Sequence, residues 1–325
     1  MQRLQTIGLA ATALIATIAV CAQAPASLSD KGTPAKGKGK AATADSAAKG
    51  KGRGGAQQAE KAPTPPPVPQ VLRRLRPGLY LVTGHGGNVL FHTTTAGVIL
   101  VDTKLPGDGN FETLMDLIRG ITDQPVKIVF NTHHHADHTG NNDKFLALGA
   151  QVIAPEQLKA NLTTYSFTPK PAPPSVTYAS TYTAKLGGVE ARAYHFSPGH
   201  TSGDAVVLFP AQRVIAVSDL ARPNRTPVID YAGGGSILGW VKALDEILKL
   251  DWDTAVSGNG EPTDRAFVET YRKNLQTLID RGRMAVAQGA SKEQLMSRIK
   301  TDDLGWTFAF DADQLSHFYS EMGGK

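Results

Sequence analysis

The chain has 325 residues, 41% of them apolar, and a formal net charge of +5. A basic balance is typical of proteins that bind nucleic acids or membrane surfaces, but here the excess is confined to the N-terminal end. Residues 71–325 carry 25 basic and 26 acidic side chains, a net charge of −1. No nucleic-acid partner is therefore expected, and this part is long enough to bury one large domain or two small ones.

Residues 1–22 have the pattern of a secretory signal peptide. A short positive start precedes an apolar run from Ile7 to Val20, and small residues follow. We expect cleavage after Ala22, with Ala24 as the alternative site, and export to the periplasm or the medium. Either cleavage removes Cys21, the single cysteine, so no thiolate ligand, disulfide or cysteine nucleophile remains. No later run reaches the ~18 apolar residues of a membrane-spanning helix.

Residues 23–70 are predicted to be a disordered spacer. They are rich in Lys, Gly, Ala and Pro, contain no aromatic residue, and have Leu28 and Val68 as their only large aliphatic side chains. Such a segment cannot bury enough apolar surface to offset its ordering entropy. Its basic residues could hold the protein near anionic envelope polymers, although a solvated linker is the simpler interpretation. A folded domain is expected over residues 71–325.

The domain reads as two series of short strands, each ending in helices. Strands of the first series are predicted at Leu79–Val82, Val89–His92, Val98–Asp102, Val126–Asn131 and Val152–Ala154. Helices are predicted around Phe111–Ile118, over Asn142–Leu148 and from Pro155. Strands of the second series are predicted at Tyr182–Leu186, Val189–Phe196, Ala205–Phe209, Val214–Val217 and Thr254–Val256. Helices are predicted from Ser236 and from Thr263, where a helical C-terminal part begins. This order favours an α+β fold of two packed mixed β-sheets with helices on the outer faces.

Four of the nine histidines lie in one hexapeptide, His-His-His-Ala-Asp-His, at the end of a predicted strand. In an extended backbone His133 and His135 point to the same side and His134 to the other. Asp137 and His138 then turn in at the start of the next helix. Imidazole and carboxylate are the ligands that zinc prefers in a site without thiolates, so a metal site is favoured over a chance cluster of surface histidines.

Three further polar residues each follow a predicted strand, namely His200, Asp219 and Asn259. Loops that leave strand ends at one edge of a sheet converge on a common crevice. Taken singly, His200 would be a core or turn histidine and Asp219 a cap carboxylate. Their shared position relative to the histidine hexapeptide favours metal ligation by both.

With these motifs the sequence resembles the metallo-β-lactamase superfamily of metal-dependent hydrolases over about residues 78–280. The motifs are the His-x-His-x-Asp-His segment, the Gly-His200-Thr turn and the pair Ser218-Asp219. Residues 86–88 and 98–102 also match the opening strands. The resemblance implies an αββα sandwich with metals at one edge.

The resemblance also implies the metal ligands. They are His133, His135 and His200 for a first metal, Asp137 and His138 for a second, and Asp219 as the bridge between the two. Relatives with the bridging Asp complete the second site with a His in a Gly-His-Gly turn, where this chain has Gly-Asn259-Gly. Because an amide oxygen binds zinc more weakly than imidazole does, one zinc is expected, and the second site is expected to be weaker, occupied by a harder metal, or empty.

The implied activity is hydrolysis of a small molecule. Bound zinc lowers the pKa of water to about 7, which gives a zinc-bound hydroxide nucleophile, and Asp137 is expected to orient it or move its proton. Esters, lactones and β-lactams are the expected substrates of such an exported enzyme. Thioester or phosphoester hydrolysis and a non-catalytic metal- or ligand-binding role are the alternatives. Arg222 and Arg225 are candidates for contacting an anionic substrate group, against a simpler role in a solvated loop.

The other histidines are expected to pack or to donate hydrogen bonds. His134 is expected to point away from the metal, and His85 lies in a Gly-rich loop that could border the pocket. His92, His195 and His317 stand in strand, turn and helix contexts.

Overall fold

The computed structural model describes residues 68–107 and 109–325. The expected signal peptide and all but the last residues of the expected spacer lie outside the described residues. Within the part of the chain that is described, no helix has the length and apolar character needed to cross a bilayer.

The strands form two mixed sheets. The first contains β1 (Val71–Arg76), β2 (Leu79–Thr83), β3 (Val89–Thr94), β4 (Gly97–Val101), β5 (Val126–Phe130), β6 (Gln151–Pro155) and β7 (Val176–Tyr178), in that spatial order. The second contains β8 (Thr181–Leu186), β9 (Val189–Tyr194), β10 (Val206–Phe209), β11 (Val214–Ser218), β12 (Thr254–Ser257) and β13 (Thr263–Asp264), in the spatial order β13-β12-β11-β10-β9-β8. Strands β4 to β7 pair in parallel, as do β11 and β12, and the other pairs are antiparallel.

Helices cover the outer face of each sheet. They are α1 (Asn110–Arg119), α2 (Ala136–Thr139), α3 (Asn142–Ala147), α4 (Glu156–Thr164), α5 (Ile237–Ile247), α6 (Arg265–Ala287), α7 (Lys292–Arg298) and α8 (Ala312–Glu321). Side chains of α1 and α3 share a core with the first sheet, and those of α5 to α8 share a core with the second. The expected αββα sandwich is confirmed.

Alternating side chains explain why the sheets stack. In β4, Ile99 and Val101 face the core between the sheets, whereas Val98 and Leu100 face the helices. Strand β11 repeats this pattern, with alternate residues in the inter-sheet core and in the core shared with α5 and α6. Because successive side chains of a strand point to opposite faces, an apolar strand of this kind must be covered on both sides.

Some elements differ from those expected. Strand β1 was not expected, because its sequence carries three arginines, yet charge is tolerated on a strand at the edge of a sheet. The helix expected from Thr263 begins at Arg265. The reason is that the Asp264 side chain caps it by accepting a hydrogen bond of 2.9 Å from the Phe267 amide, while residues 263–264 pair with β12.

The C-terminal ends of β5 and β11 meet at one edge of the sandwich. A hydrogen bond of 2.7 Å joins Thr132 Oγ1, just after β5, to Ser218 Oγ, the last residue of β11. The loops after β4 and β12 leave at the same edge, since β4 is parallel to β5 and β12 is parallel to β11. The polar residues that follow these strands are therefore brought together.

Helix α8 holds the loop that precedes α5. Its Glu321 carboxylate accepts hydrogen bonds from Tyr231 Oη at 2.8 Å, from Ser236 Oγ and from the Ile237 amide at 3.2 Å. The His317 ring also stacks on Tyr231, with 5.1 Å between ring centroids. A carboxylate at the N-terminus of α5 is further favoured by the helix dipole.

We expect Glu321→Ala to lower the free energy of unfolding by about 1–3 kcal/mol, because several partly buried donors lose their acceptor. Urea denaturation of the purified variant measures this change. Ser316→Ala, at an exposed position of the same helix, is the control and should stay within about 0.5 kcal/mol of the parent. Equal stability of the two variants would contradict the assigned role of Glu321.

Candidate metal centre

Three imidazoles converge at the shared edge of the sheets. His135 Nδ1 lies 3.1 Å from His133 Nε2 and 3.1 Å from His200 Nε2. His133 and His135 follow β5, with His135 capping α2, and His200 lies in the loop after β9. The structure therefore brings together the three residues expected to hold a first metal.

Each of these rings has its other nitrogen anchored. His133 Nδ1 lies 3.2 Å from Ser218 Oγ, His135 Nε2 lies 2.9 Å from Asp230 Oδ2, and His200 Nδ1 lies 2.7 Å from the Val228 carbonyl oxygen. A ring that donates its proton outward presents a bare lone pair at its second nitrogen. The three inward-facing nitrogens are then free to bind a cation.

Burial keeps two of the three imidazoles neutral at pH 7. It lowers the pKa of His200 to about 4, although Asp219 acts in the opposite direction. It also places the pKa of His133 well below its usual value, and the adjacent imidazoles lower that pKa further. Because a metal binds the neutral form of histidine, deprotonation of these two rings costs little of the free energy of metal binding at pH 7.

The donor set fits a single zinc ion. All three nitrogens lie within 4.8 Å of one another. Two nitrogens at the usual Zn–N distance in a tetrahedron are about 3.4 Å apart, close to the two separations of 3.1 Å. The three residues would occupy three corners of the tetrahedron and leave the fourth for water or substrate.

The residues expected at the second position also meet. His138 is fully buried, and its Nε2 makes no hydrogen bond within the described residues. That nitrogen lies 3.2 Å from Asp137 Oδ2 and 3.9 Å from Asp219 Oδ1. A buried nitrogen without a hydrogen bond and facing two carboxylates is suited to a cation. The ligand atoms of His133, His138 and Asp219 form a second possible metal group.

Two features weaken this second position. Burial acts to lower the pKa of His138, but Asp137 and Asp102 outweigh it and raise that pKa well above its usual value, so a proton competes for the ring. Arg222 Nη1 lies 3.2 Å from Asp219 Oδ2 and neutralises the expected bridging carboxylate. Asn259 does reach the site, where its Nδ2 lies 3.4 Å from Asp219 Oδ1. The amide thus faces the carboxylate with a donor.

The sequence predicts Asp102 only as the last residue of a strand, and the structure gives it a role at the second metal position. It accepts hydrogen bonds of 2.8 Å from both the amide and the hydroxyl of Thr132, and it lies 2.7 Å from His138 Nδ1. It holds the His138 ring with Nε2 directed at Asp137 and Asp219. A carboxylate behind a ligating histidine fixes the ring orientation and raises its basicity.

A cavity of about 540 Å³ opens beside His135, one of the three imidazoles of the first metal position. His134, His135, Asp137, Tyr165 and Asp230 are among the residues that line it. Of the two arginines proposed as substrate contacts, neither lines this cavity. Arg222 is paired with Asp219, and Arg225 is exposed.

The remaining histidines occupy varied settings. His134 lines the cavity, packs its ring edge-to-face on Tyr165, and has its Nε2 3.5 Å from Asp230 Oδ2, where His134, His135 and Asp230 form a further possible metal group. His195 Nδ1 lies 2.8 Å from the Asp204 carbonyl oxygen, and His92 Nδ1 lies 2.8 Å from that of Thr93. His85 sits in the loop of residues 84–87, which contacts Asp137 through the Gly87 amide.

Sequence comparison identifies the family. The model of the metallo-beta-lactamase superfamily matches residues 82–259, more than half of the chain. The chain belongs to the metallo-β-lactamase superfamily. The expected resemblance is confirmed, and the His and Asp groups at the sheet edge are those of a superfamily hydrolase. Residues 260–325, including α6, α7 and α8, lie beyond the matched range.

Individual relatives are distant. A "Metallo-beta-lactamase type 2" from Elizabethkingia meningoseptica is 24% identical over 186 residues, which are 55% of this chain and 73% of that protein. A metallo-beta-lactamase structure from Pontibacter korlensis is 21% identical, has a TM-score of 0.58, and covers 64% of this chain and 99% of that one. The structure of a double mutant of the sec-alkyl sulfatase PisA1 is 18% identical and has a TM-score of 0.61. That match covers 78% of this chain and 49% of the sulfatase chain. The structural likeness establishes the shared fold.

Lys104 is a buried residue near this superfamily site that sequence reasoning missed. Its Nζ donates hydrogen bonds to the carbonyl oxygens of Val82 at 3.1 Å and Gly84 at 2.6 Å. Burial lowers its pKa to about 7, with Asp137 acting in the opposite direction. A lysine after a strand carries no sequence signal that distinguishes it from a surface residue.

We expect the free energy of unfolding of the parent protein to rise between pH 7 and pH 9 by more than that of the Lys104→Met variant. An unfolded lysine keeps its proton up to about pH 10.4, whereas folded Lys104 loses it near pH 7, so the unfolded state binds more protons in this range. The gain is at most about 1.4 kcal/mol for each pH unit. Urea denaturation of both proteins at each pH measures it, and parallel pH profiles would contradict the buried lysine.

Proposed function

We propose that this protein is an exported, zinc-dependent hydrolase of a small molecule with an ester, lactone or β-lactam bond. The observation that carries the proposal is the set of three bare imidazole nitrogens beside an open cavity. Relatives that include a "Metallo-beta-lactamase type 2" support hydrolysis as the reaction. Export rests on the signal-peptide pattern of residues 1–22.

Asp137 is proposed as the residue that moves the proton. His133, His135 and His200 would hold a zinc ion, which would supply Lewis acidity for attack by water at neutral pH. Asp137 lines the cavity, and although burial acts to raise its pKa, His138 holds that pKa below its usual range. Ionised Asp137 can therefore accept a hydrogen bond from the attacking water, take the proton of that water as it adds to the substrate, and pass the same proton to the leaving group.

Tyr165, which also lines the cavity, is proposed to assist. Its hydroxyl oxygen accepts a hydrogen bond of 3.2 Å from the Ala136 amide, which leaves the phenolic proton for the cavity. Burial raises the pKa of Tyr165, so the hydroxyl stays neutral and can donate to a substrate oxygen.

We expect His200→Ala to abolish most of the bound zinc and to lower ester hydrolysis by at least about 100-fold, since one of three ligands is lost. Metal analysis after gel filtration and turnover of 4-nitrophenyl acetate and nitrocefin measure both effects. His92→Gln changes a buried histidine of β3 outside the site and serves as the control. Full zinc content without turnover of a broad substrate panel would favour the non-catalytic alternative.

We expect Asn259→His to raise the zinc content from about one equivalent towards two. The new imidazole supplies a ligand beside Asp219, where the amide now donates a hydrogen bond. Zinc titration and the visible spectrum of the cobalt-substituted protein count the sites independently of activity. Two tightly bound equivalents in the parent protein would contradict the weakened second position.

A further inference from the structure

Three residues that line the cavity form a further set of metal ligands, the outer set (His134, His135 and Asp230). Asp230 Oδ2 lies 2.9 Å from His135 Nε2 and 3.5 Å from His134 Nε2, and one ligand atom from each residue lies within 4.8 Å of the others. Two ligand atoms of a tetrahedral zinc ion are about 3.4 Å apart. Imidazole and carboxylate are also ligands that zinc accepts. The outer set therefore fits one such ion.

The Asp230 carboxylate is held in place for this contact. Its Oδ1 accepts a hydrogen bond of 2.9 Å from the Gly233 amide, which directs Oδ2 towards the two imidazoles. A Cβ at residue 233 would overlap Asp230 Oδ2 and lie 2.7 Å from His134 Cε1. Glycine at this position thus lets the carboxylate and the His134 ring approach each other. The loop before α5 fixes the geometry of the outer set.

His135 belongs both to the outer set and to the first metal position, through different nitrogens. Its Nδ1 faces the first metal position, and its Nε2 faces Asp230. A neutral ring has one proton and one lone pair, so it binds a metal through one nitrogen at a time. With an ion at the outer set the proton lies on Nδ1, where His133 Nε2 or His200 Nε2, each at 3.1 Å, accepts it. The two positions are therefore alternatives for one ion.

His134 can present a bare Nε2 at a small cost. Its Nδ1 makes a long contact of 3.5 Å with Asn161 Nδ2, and that amide also donates to Ser202 Oγ and to the Gly233 carbonyl oxygen at 3.0 Å each. Moving the proton of His134 from Nε2 to Nδ1 gives up this weak contact and the one with Asp230. An ion between His134 and Asp230 replaces them with two coordination bonds.

The outer set is easier to reach than the first metal position. His135 and Asp230 line the cavity, with side chains 23% and 20% exposed. His133 and His200 do not line it and are almost fully buried. An ion that enters from the cavity is attracted by the Asp230 carboxylate and meets the outer nitrogen of His135 before the buried imidazoles.

We propose that the outer set is a loading site for a divalent metal ion such as zinc, which binds there first and then passes to His133, His135 and His200. On passage the His135 proton returns to Nε2, where Asp230 accepts it, and Nδ1 becomes free for the metal. His134 is the outer ligand that the first metal position does not use. The loading role goes beyond the proposed hydrolysis and holds whichever bond the enzyme cleaves.

Binding at the outer set is tested in a chain whose other two positions are weakened. In a His200→Ala, Asp219→Asn double variant each of those positions loses one ligand, whereas the outer set keeps all three. We expect titration of the full chain against a chromophoric chelator to detect zinc binding that is too weak to survive gel filtration. Adding His134→Gln should weaken this binding at least about tenfold. Adding His317→Gln, which removes an exposed histidine of α8, is the control and should leave the affinity unchanged.

Loading is tested with all other ligands in place. Rapid mixing of the metal-free full chain with zinc and an indicator dye measures the rate of uptake, and metal analysis after gel filtration measures the final content. We expect His134→Gln to slow uptake at least about tenfold, because the rate follows the occupancy of the outer set, and to leave the final zinc content unchanged. His317→Gln should match the parent in both measurements.

Three results would overturn the inference. Equal zinc affinity of the double variant with and without His134→Gln would refute binding at the outer set, and equal uptake rates would refute loading. A lower final zinc content in His134→Gln would place His134 in the first metal position instead. The uptake experiment needs a single substitution, so it decides the matter even where the double variant does not fold. None of these measurements requires turnover, so failure of the proposed hydrolysis is a separate outcome.

Discussion

The site depends on the anchoring of one nitrogen in each of three imidazole rings. Neutral imidazoles placed with their lone pairs face to face repel one another, and a free ring would rotate to pair a donor with an acceptor. Ser218, Asp230 and the Val228 carbonyl remove that freedom by accepting the outward proton of each ring. These acceptors come from the end of β11 and from the loop before α5, so the arrangement exists only when both sheets and that loop are in place.

The contact between the two sheets is polar at the edge where the candidate metal ligands follow the strands. Asp102 after β4 binds Thr132 after β5, and Thr132 in turn contacts Ser218 at the end of β11. Burying the Asp102 carboxylate costs free energy, and burial raises its pKa, but three hydrogen bonds, two with Thr132 and one with His138, offset that cost. The network therefore sets the position of the metal ligands relative to one another, while the apolar inter-sheet core supplies the stability.

Sequence patterns predicted what is encoded locally. The continuous apolar runs of β4 and β11 predicted buried strands, and the hexapeptide at 133–138 predicted a metal site, since both signals span only a few residues. Asp230 was missed because it meets His135 across 95 positions in the chain and sits in a loop without a motif. Lys104 was missed because its burial depends on residues distant in the sequence, such as Val82 and Gly84, whose carbonyl oxygens accept its hydrogen bonds. Strand β1 escaped notice because a charged edge strand has no apolar period.

Two parts of the chain contribute differently to the candidate site. The residues that match the superfamily supply the metal ligands, whereas α8, beyond that range, supplies part of the cavity wall through Gln314 and supports the loop of Asp230 through Glu321. Glu321 holds Tyr231, which neighbours Asp230, and Asp230 orients His135. Changes in α8 can thus alter the wall of the cavity and the loop behind His135 without changing the candidate metal ligands.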